Sequence, residues 1–249
     1  MLNIMLCGCG GRMGAAVIAA AKEAGDRIVA GVDINPAADS PFPIFTSPEE
    51  FRGKVDVIVD FSHHSALPGL LSYAVSTGTP LVVCTTGHTE EETAAMKEAA
   101  KKVAVFFSRN MSLGINLLIS LCRRAAAALG TDFDIEIIEK HHNKKLDAPS
   151  GTALMIADAL SEDAEHPYVY DRHAERRQRE RGEIGLHAVR GGTIVGEHEV
   201  LFCGKDEVIT LSHSAASREV FATGAIRAAH FMKGRAAGFY NMNDVIGDL

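Results

Sequence analysis

Through the first hundred residues, short runs rich in Val, Ile and Leu alternate with longer Ala-rich stretches whose apolar residues recur every three or four positions. That alternation predicts βαβ units and a parallel sheet. Strands are expected at residues 3–7, 28–33, 55–60, 80–84 and 103–108. Helices are expected at 12–24, where Met13, Val17, Ile18 and Ala21 share a face, at 65–76 and at 90–102. This half of the chain reads as doubly wound.

Beyond Asn110 the rhythm changes. A helix at 112–129 leads into a strand at 132–139, a segment rich in His and Lys, and a helix running from Ser150 through Leu160, where the Ser150 hydroxyl can accept from the first turn. A polar stretch, 162–183, contains the charge run 175–181, for which a solvated loop or short helix is weighed against an anion or subunit contact. Three apolar runs then follow closely at 185–190, 193–202 and 207–213, and their spacing predicts antiparallel hairpins. The middle of the chain is expected to be α+β. A last helix, 218–232, carries Val220, Ala222, Ala225, Ala229 and Phe231 and is expected to return to the first half.

Composition narrows the classes. With 249 residues, 47% of them hydrophobic, a sizeable core is available, and a net charge of −7 argues against nucleic acid as partner. An anionic substrate would need a local basic pocket. Apolar runs such as 55–59 and 81–83 are far shorter than the roughly 20 residues of a membrane span. The first residues lack a basic region and a small-residue cleavage site, so no membrane partner and a cytoplasmic location are expected. Five scattered cysteines read as reduced thiols, and Cys7-x-Cys9 lacks the second Cys/His pair that a zinc site needs, so no metal is expected.

The first strand and first helix are joined by Gly8-Cys9-Gly10-Gly11-Arg12-Met13-Gly14, the context of a dinucleotide fingerprint. Residues without a Cβ let a pyrophosphate approach the helix N-terminus, where N–H groups and the dipole favour negative charge. The spacing is GxxGxxG, with Met13 in the last glycine position of a strict GxGxxG, and a tight connection alone is the competing reading. Asp33 ends the second strand, twenty-five positions past Gly8, where an acid would bond the adenosine ribose diol. Ile34 and Asn35 follow it, with no Arg or Lys to neutralise a 2′-phosphate, so NADH is expected over NADPH. Thr85-Thr86-Gly87 and Ser108-Arg109-Asn110-Met111 fall at carboxyl ends of predicted parallel strands, where they are either cofactor loops or plain strand-end turns.

The segment from Glu139 to Ala153, EKHHNKKLDAPSGTA, gathers two imidazoles, several ammonium groups and a helix N-terminus. It suits an anion site with proton-transfer groups, although a His-His-x-x-Lys run can also be mere surface. Ser150-Gly151-Thr152 at the helix start adds N–H donors suited to a carboxylate. The remaining histidines, His63, His64, His88, His173, His187, His213 and His230, have no ligand spacing and are read as surface or core, and His198 as structural.

Gly8 to Gly14, Asp60-Phe61-Ser62, Thr85-Thr86-Gly87, Asn110 to Asn116, His141-His142 through Ala153, Arg190 to His198 and Ser217-Arg218 together closely resemble the 4-hydroxy-tetrahydrodipicolinate reductase (dihydrodipicolinate reductase) family of diaminopimelate and lysine biosynthesis. The resemblance covers essentially the whole chain. It implies an α/β fold with a Rossmann-type cofactor domain (1–110 and 218–249), a central α+β substrate and oligomerisation domain with a mixed sheet (111–217), and a homotetramer. It also implies roles: His141 as proton donor and acceptor, Lys145 as second proton donor, and His142, Gly151 and Thr152 on the carboxylates of a small dicarboxylate substrate. Gly8, Cys9, Gly10, Gly11, Arg12, Met13, Asp33, Thr85, Thr86, Gly87, Ser108, Arg109, Asn110 and Met111 would line NADH or NADPH. Cys84 stands where the family commonly has glycine. An amino-acid dehydrogenase would leave His141 to Thr152 unexplained, and a dinucleotide-binding redox sensor would predict a degraded substrate segment, which is intact here.

Overall fold

In the computed structural model, which describes residues 1–35, 40–161, 167–174 and 176–247, the chain forms two compact units. One comprises Met1–Leu113 and the segment from Arg218 on, the other Gly114–Ser217. The first opens with β1 (Asn3–Cys7), α1 (Arg12–Glu23), β2 (Arg27–Val32), β3 (Ile44–Phe45), β4 (Val57–Asp60), α2 (Leu67–Thr77), β5 (Leu81–Val83), α3 (Glu90–Ala100) and β6 (Ala104–Phe107). The second holds α4 (Leu113–Leu129), β7 (Asp134–His141), α5 (Gly151–Ser161), β8 (Tyr168–Val169), β9 (Ile184–Arg190), β10 (Gly196–Cys203) and β11 (Val208–Ala215). The chain then completes the first unit with α6 (Glu219–Met232), β12 (Gly238–Tyr240) and α7 (Met242–Ile246).

The first sheet is parallel throughout, in the order β12-β6-β5-β4-β1-β2-β3. β4 and β5 are buried at every position, as expected where helices cover both faces. On one side Leu6, Val59 and Phe106 pack with Val17 of α1 and with Ala225 and Ala229 of α6. On the other, Met5, Ile58 and Val105 pack with Leu70 and Ala74 of α2 and Met96 of α3. The strand order reverses between β1 and β4, and the crevice beyond the carboxyl ends at such a reversal is where open α/β sheets bind ligands.

The returning helix takes its expected place, and its small residues set how closely it packs. A Cβ on Gly224 would lie 1.8 Å from the Met111 carbonyl oxygen. Asp26, its side chain wholly buried, accepts from the Leu2 N–H at 2.7 Å and pairs with His230 Nε2 of α6 at 2.6 Å. β12, a three-residue edge strand on β6, was not foreseen, because so short a run carries no measurable period.

The second sheet is mixed, in the order β11-β10-β7-β9-β8. β10 runs antiparallel to β11 and β7, whereas β9 runs parallel to β7 and β8. Only β10 and β11 form the expected hairpin. β9 and β10, close in sequence, are separated by β7, and the connection between them is held at its start by the Gly191 N–H on the His141 carbonyl at 2.9 Å. Proximity in sequence was therefore a poor guide to pairing. β7 also runs two residues past its expected end, which places His141 on a central strand.

On the covered face of this sheet Ile137, Val200 and Phe202 pack against Ile115, Leu118 and Cys122 of α4 and Ile156 and Ala157 of α5. Residues 113–132 are long and apolar enough, with mean hydropathy 1.3, to match a membrane span by length and composition, contrary to the expectation drawn from the shorter runs. The same character suits a helix that lines a core, and one face of α4 does so. The described residues of the charge run form an exposed loop, as the solvated reading expects, except Arg179, and Arg172 just before the run is likewise half-buried. Arg172 bonds Glu183 at 2.7 Å and Glu136 at 3.0 Å, and Arg179 bonds Asp134 at 2.7 Å and Glu136 at 3.0 Å, so these arginines clamp a loop to β7. Glu175 of that run, residues 162–166 and the last two positions lie outside the described residues.

Candidate active site

In the first unit the candidate residues gather at the carboxyl ends of the parallel strands. Gly8 follows β1 with φ +75°, and a Cβ there would lie 2.5 Å from the Phe61 carbonyl oxygen. Gly14 lies in the first turn of α1, where a Cβ would meet the Cys9 carbonyl oxygen at 2.4 Å. Glycine is thus required at both ends of the loop. No side chain caps α1 at Gly11, so the positive end of the helix carries no acidic group of its own. Asp33 sits beside the loop, its Oδ2 accepting from the Gly10 N–H at 2.9 Å and its Oδ1 from the Asn35 N–H at 3.1 Å.

A cavity of about 510 Å³ opens next to the loop. Met13, Thr85, Thr86, Arg109, Asn110 and Met111 of the expected set line it, whereas Gly8 to Arg12, Asp33, Gly87 and Ser108 lie off its wall. Phe61, Ser62, His63, His64, Cys84 and Phe221 line it without having been assigned there. The position of Phe61 to His64 after β4, at the strand-order reversal, was the signal for the first four; Phe221, arriving from α6, had none.

Asp60 anchors this wall. It is buried, and its Oδ1 accepts from the Ser62 N–H at 2.9 Å while its Oδ2 accepts from the Thr85 hydroxyl at 2.9 Å. Burial raises its carboxyl pKa, and the bonds from Ser62 and Thr85 oppose that rise. Ser108 donates to the Asn110 carbonyl at 2.7 Å, and Asn110 Oδ1 accepts from the Ser112 N–H at 2.8 Å, which folds that loop over itself. Glu92 bonds His64 Nδ1 at 2.8 Å and His88 Nδ1 at 3.3 Å, and the His64 bond is the main reason its carboxyl is held at about 2. His63 and His64 thus belong to the cavity wall, which their spacing had not suggested.

In the second unit the covered face of β7 reads Ile137, Glu139, His141, and the polar pair continues the apolar face. Glu139 is completely buried. Its Oε2 is 2.6 Å from His141 Nδ1 and 2.8 Å from Arg190 Nη1, and its Oε1 accepts from Arg190 Nη2 at 2.6 Å and from the Ser150 N–H at 3.0 Å. His198, on the neighbouring β10, lies with its ring 5.3 Å from that of His141 and bonds the Ser150 hydroxyl at 3.1 Å. Ser150 in turn accepts from the Ala153 N–H at 3.1 Å, as expected of a helix cap. Burial is the main cause that lowers His198 to about 4, with His141 contributing.

The loop after β7 carries the other expected residues. Lys145 Nζ lies 2.8 Å from Asp147 Oδ2, and this ion pair lowers the Asp147 carboxyl pKa. His142 is half-buried, and its Nδ1 is buried without a hydrogen-bond partner in the described structure. Gly151 is exposed with no heavy atom within 4 Å of a Cβ placed on it, and Thr152 is half-buried beside it at the start of α5. Sequence reasoning brought no role to Glu139 or Arg190, and to Ser150 only that of a helix cap and N–H donor, although Glu139 two positions before His141 on a strand must share its face.

Family models named Dihydrodipicolinate reductase, N-terminus, and Dihydrodipicolinate reductase, C-terminus, match residues 2–111 and 114–246. The chain belongs to the dihydrodipicolinate reductase family. It is 51% identical over 249 residues to the 4-hydroxy-tetrahydrodipicolinate reductase of Caldanaerobacter subterraneus subsp. tengcongensis, covering 99% of this chain and 98% of the relative. It is 49% identical to that of Clostridium botulinum strain Eklund 17B, with 99% of each chain covered. Among solved structures, the dipicolinate-bound dihydrodipicolinate reductase from Paenisporosarcina sp. TG-14 shares the fold with a TM-score of 0.84 at 24% identity, covering 99% of this chain and all of that one. The diaminopimelate dehydrogenase of C. glutamicum has a TM-score of 0.58 at 15% identity, over 100% of this chain and 96% of that one. The enzyme is accordingly an oxidoreductase with a Rossmann-like NAD(P)-binding fold, and its glycine loop, packed tightly on Phe61 at Gly8 and on Cys9 at Gly14, enters α1 with no acidic residue in the first turn, which fits the phosphates of such a cofactor.

Proposed function

We propose that this chain reduces 4-hydroxy-tetrahydrodipicolinate (dihydrodipicolinate) to tetrahydrodipicolinate in diaminopimelate and lysine biosynthesis, with NADH preferred to NADPH. The observation that carries the reading is the His/Lys segment, folded with His141 against a buried carboxylate and Lys145 and the start of α5 close by in sequence. The dipicolinate bound to the Paenisporosarcina protein supports a planar dicarboxylate of the same class.

When bound, the nicotinamide cofactor would supply a hydride, and the 4-hydroxyl group leaves as water before or with its addition. The residues of the chain do the rest. His141 and Lys145 provide the proton that the carbon next to the reduced centre must take up. The Lys145 ammonium, His142, and the N–H groups and hydroxyl at Gly151 and Thr152 hold the two carboxylates. Gly8 to Met13 and the loops at Thr85–Gly87 and Ser108–Met111 hold the cofactor, and Asp33 takes the adenosine ribose diol. A 2′-phosphate would be repelled by Asp33, with Ile34 next in the chain offering no compensating charge. We assign the cofactor domain to residues 1–110 and 218–249 and the substrate domain to 111–217. A homotetramer built through the second sheet is part of the proposal, supported by its outer face, where Val189 is 46% exposed.

The test couples the enzyme to dihydrodipicolinate synthase, pyruvate and aspartate semialdehyde and follows NADH and NADPH oxidation. The reading expects oxidation of both with higher kcat/KM for NADH. Cofactor binding without oxidation would refute the activity, and a strong NADPH preference would refute the role of Asp33.

A further inference from the structure

Two residues before His141 on the same strand face stands a carboxylate that no water reaches. Glu139 has no exposed surface, yet both its oxygens are fully engaged by Arg190, the Ser150 N–H and His141 Nδ1. We propose that Glu139 is a positioning residue that holds His141 with its proton on Nδ1, so that Nε2 is the nitrogen that exchanges a proton with the substrate. The inference rests on the reading of His141 as proton donor.

The argument runs through donors and acceptors. An ionised carboxylate only accepts, so the nitrogen 2.6 Å from it carries the hydrogen. Burial opposes ionisation of Glu139, but hydrogen bonds from Arg190 and His141 outweigh it and hold the carboxyl below its ordinary range. The Arg190 fork is bidentate, and Arg190 Nη2 also donates to the Asp147 carbonyl at 2.7 Å, so the carboxylate is fixed in orientation from β9 and from the loop. At the other end of the imidazole, a Cβ on Gly196 would lie 3.1 Å from Nε2, and glycine there leaves that nitrogen approachable.

The charges around His141 show why Glu139 sets its behaviour. From β9 comes Arg190, from the loop the Lys145–Asp147 pair, and from β10 the His198 ring, with His213 of β11 opposite His198. His198 stays neutral down to about 4, so it adds no charge at working pH. Loss of the Glu139 charge leaves Arg190 unbalanced beside the imidazole, and a neighbouring positive charge disfavours the protonated, donating form.

The experiment compares wild type, Glu139→Gln and His141→Ala. The alkaline fall of kcat in Glu139→Gln is expected about one pH unit or more below that of wild type, with NADH affinity unchanged. In 15N spectra of wild type at high pH, neutral His141 should be the Nδ1–H tautomer, and in Glu139→Gln a mixture. The wild-type spectrum alone decides if the variant fails to fold: a dominant Nε2–H tautomer overturns the proposal. An unmoved alkaline fall in Glu139→Gln, with His141→Ala inactive, overturns the proposal and leaves the proton-donor reading intact. Full turnover in His141→Ala overturns that reading and this inference with it.

Discussion

His198 gives the second unit a built-in sensitivity to acid, and its size follows from the structure. The imidazole is 3% exposed, and burial, with His141 alongside, lowers its pKa from 6.5 to about 4. Between these values the unfolded chain takes up a proton that the folded chain refuses. The stability term is therefore complete above about pH 6.5 and is lost as the pH falls toward 4. A difference of about 2.5 units corresponds to roughly 3 kcal/mol at 1.36 kcal/mol per unit. With a urea slope of about 1–3 kcal/mol/M, the unfolding midpoint should drop by about 1–3 M across this interval on account of His198. His198→Gln, uncharged at every pH and able to reach the Ser150 hydroxyl, should lack that part of the drop. Urea unfolding followed by far-UV circular dichroism at half-unit steps from pH 4 to 7.5 measures it. Parallel curves for wild type and His198→Gln, or an NMR titration placing His198 near 6.5, would refute the reasoning.

Further expectations concern the reaction. His141→Ala and Lys145→Ala should each lower kcat by ~10²-fold or more, the usual scale of general acid–base help; near-normal turnover in both would remove them from catalysis. Gly14→Ala should weaken NADH binding by at least ~10-fold, because its methyl would sit 2.4 Å from a backbone oxygen of the glycine loop and must displace it. Calorimetric titration with NADH checks this, and an unchanged Kd would show that the loop yields without cost.

The parallel sheet was readable because α1 between β1 and β2, α2 between β4 and β5 and α3 between β5 and β6 are long enough to show a period, and the glycine loop from Gly8 leads from the first strand into the first helix. What escaped was set by distant partners. β7 separates β9 from β10 through hydrogen bonds that no local pattern encodes, and β12 is too short to signal itself. The charge run is exposed as its composition suggests, but Arg179 within it is held by Asp134 and Glu136 of β7, partners more than forty positions away. The His/Lys segment was legible through its residue types, whereas Glu139 and Arg190 were not, since their partnership depends on the register that sets His141 against Arg190 across β7 and β9.

The Asp26–His230 pair joins positions 204 apart, and the unit in which they meet is interrupted by the whole of the other. On a ribosome, β1 and α1 emerge long before α6 can cover them. The apolar side lined by Val17 and Ala21 must stay uncovered while Gly114–Ser217 is made. A chain stopped at Ser217 would lack the helix that closes that core, and would carry an open hydrophobic face instead of a shortened tail.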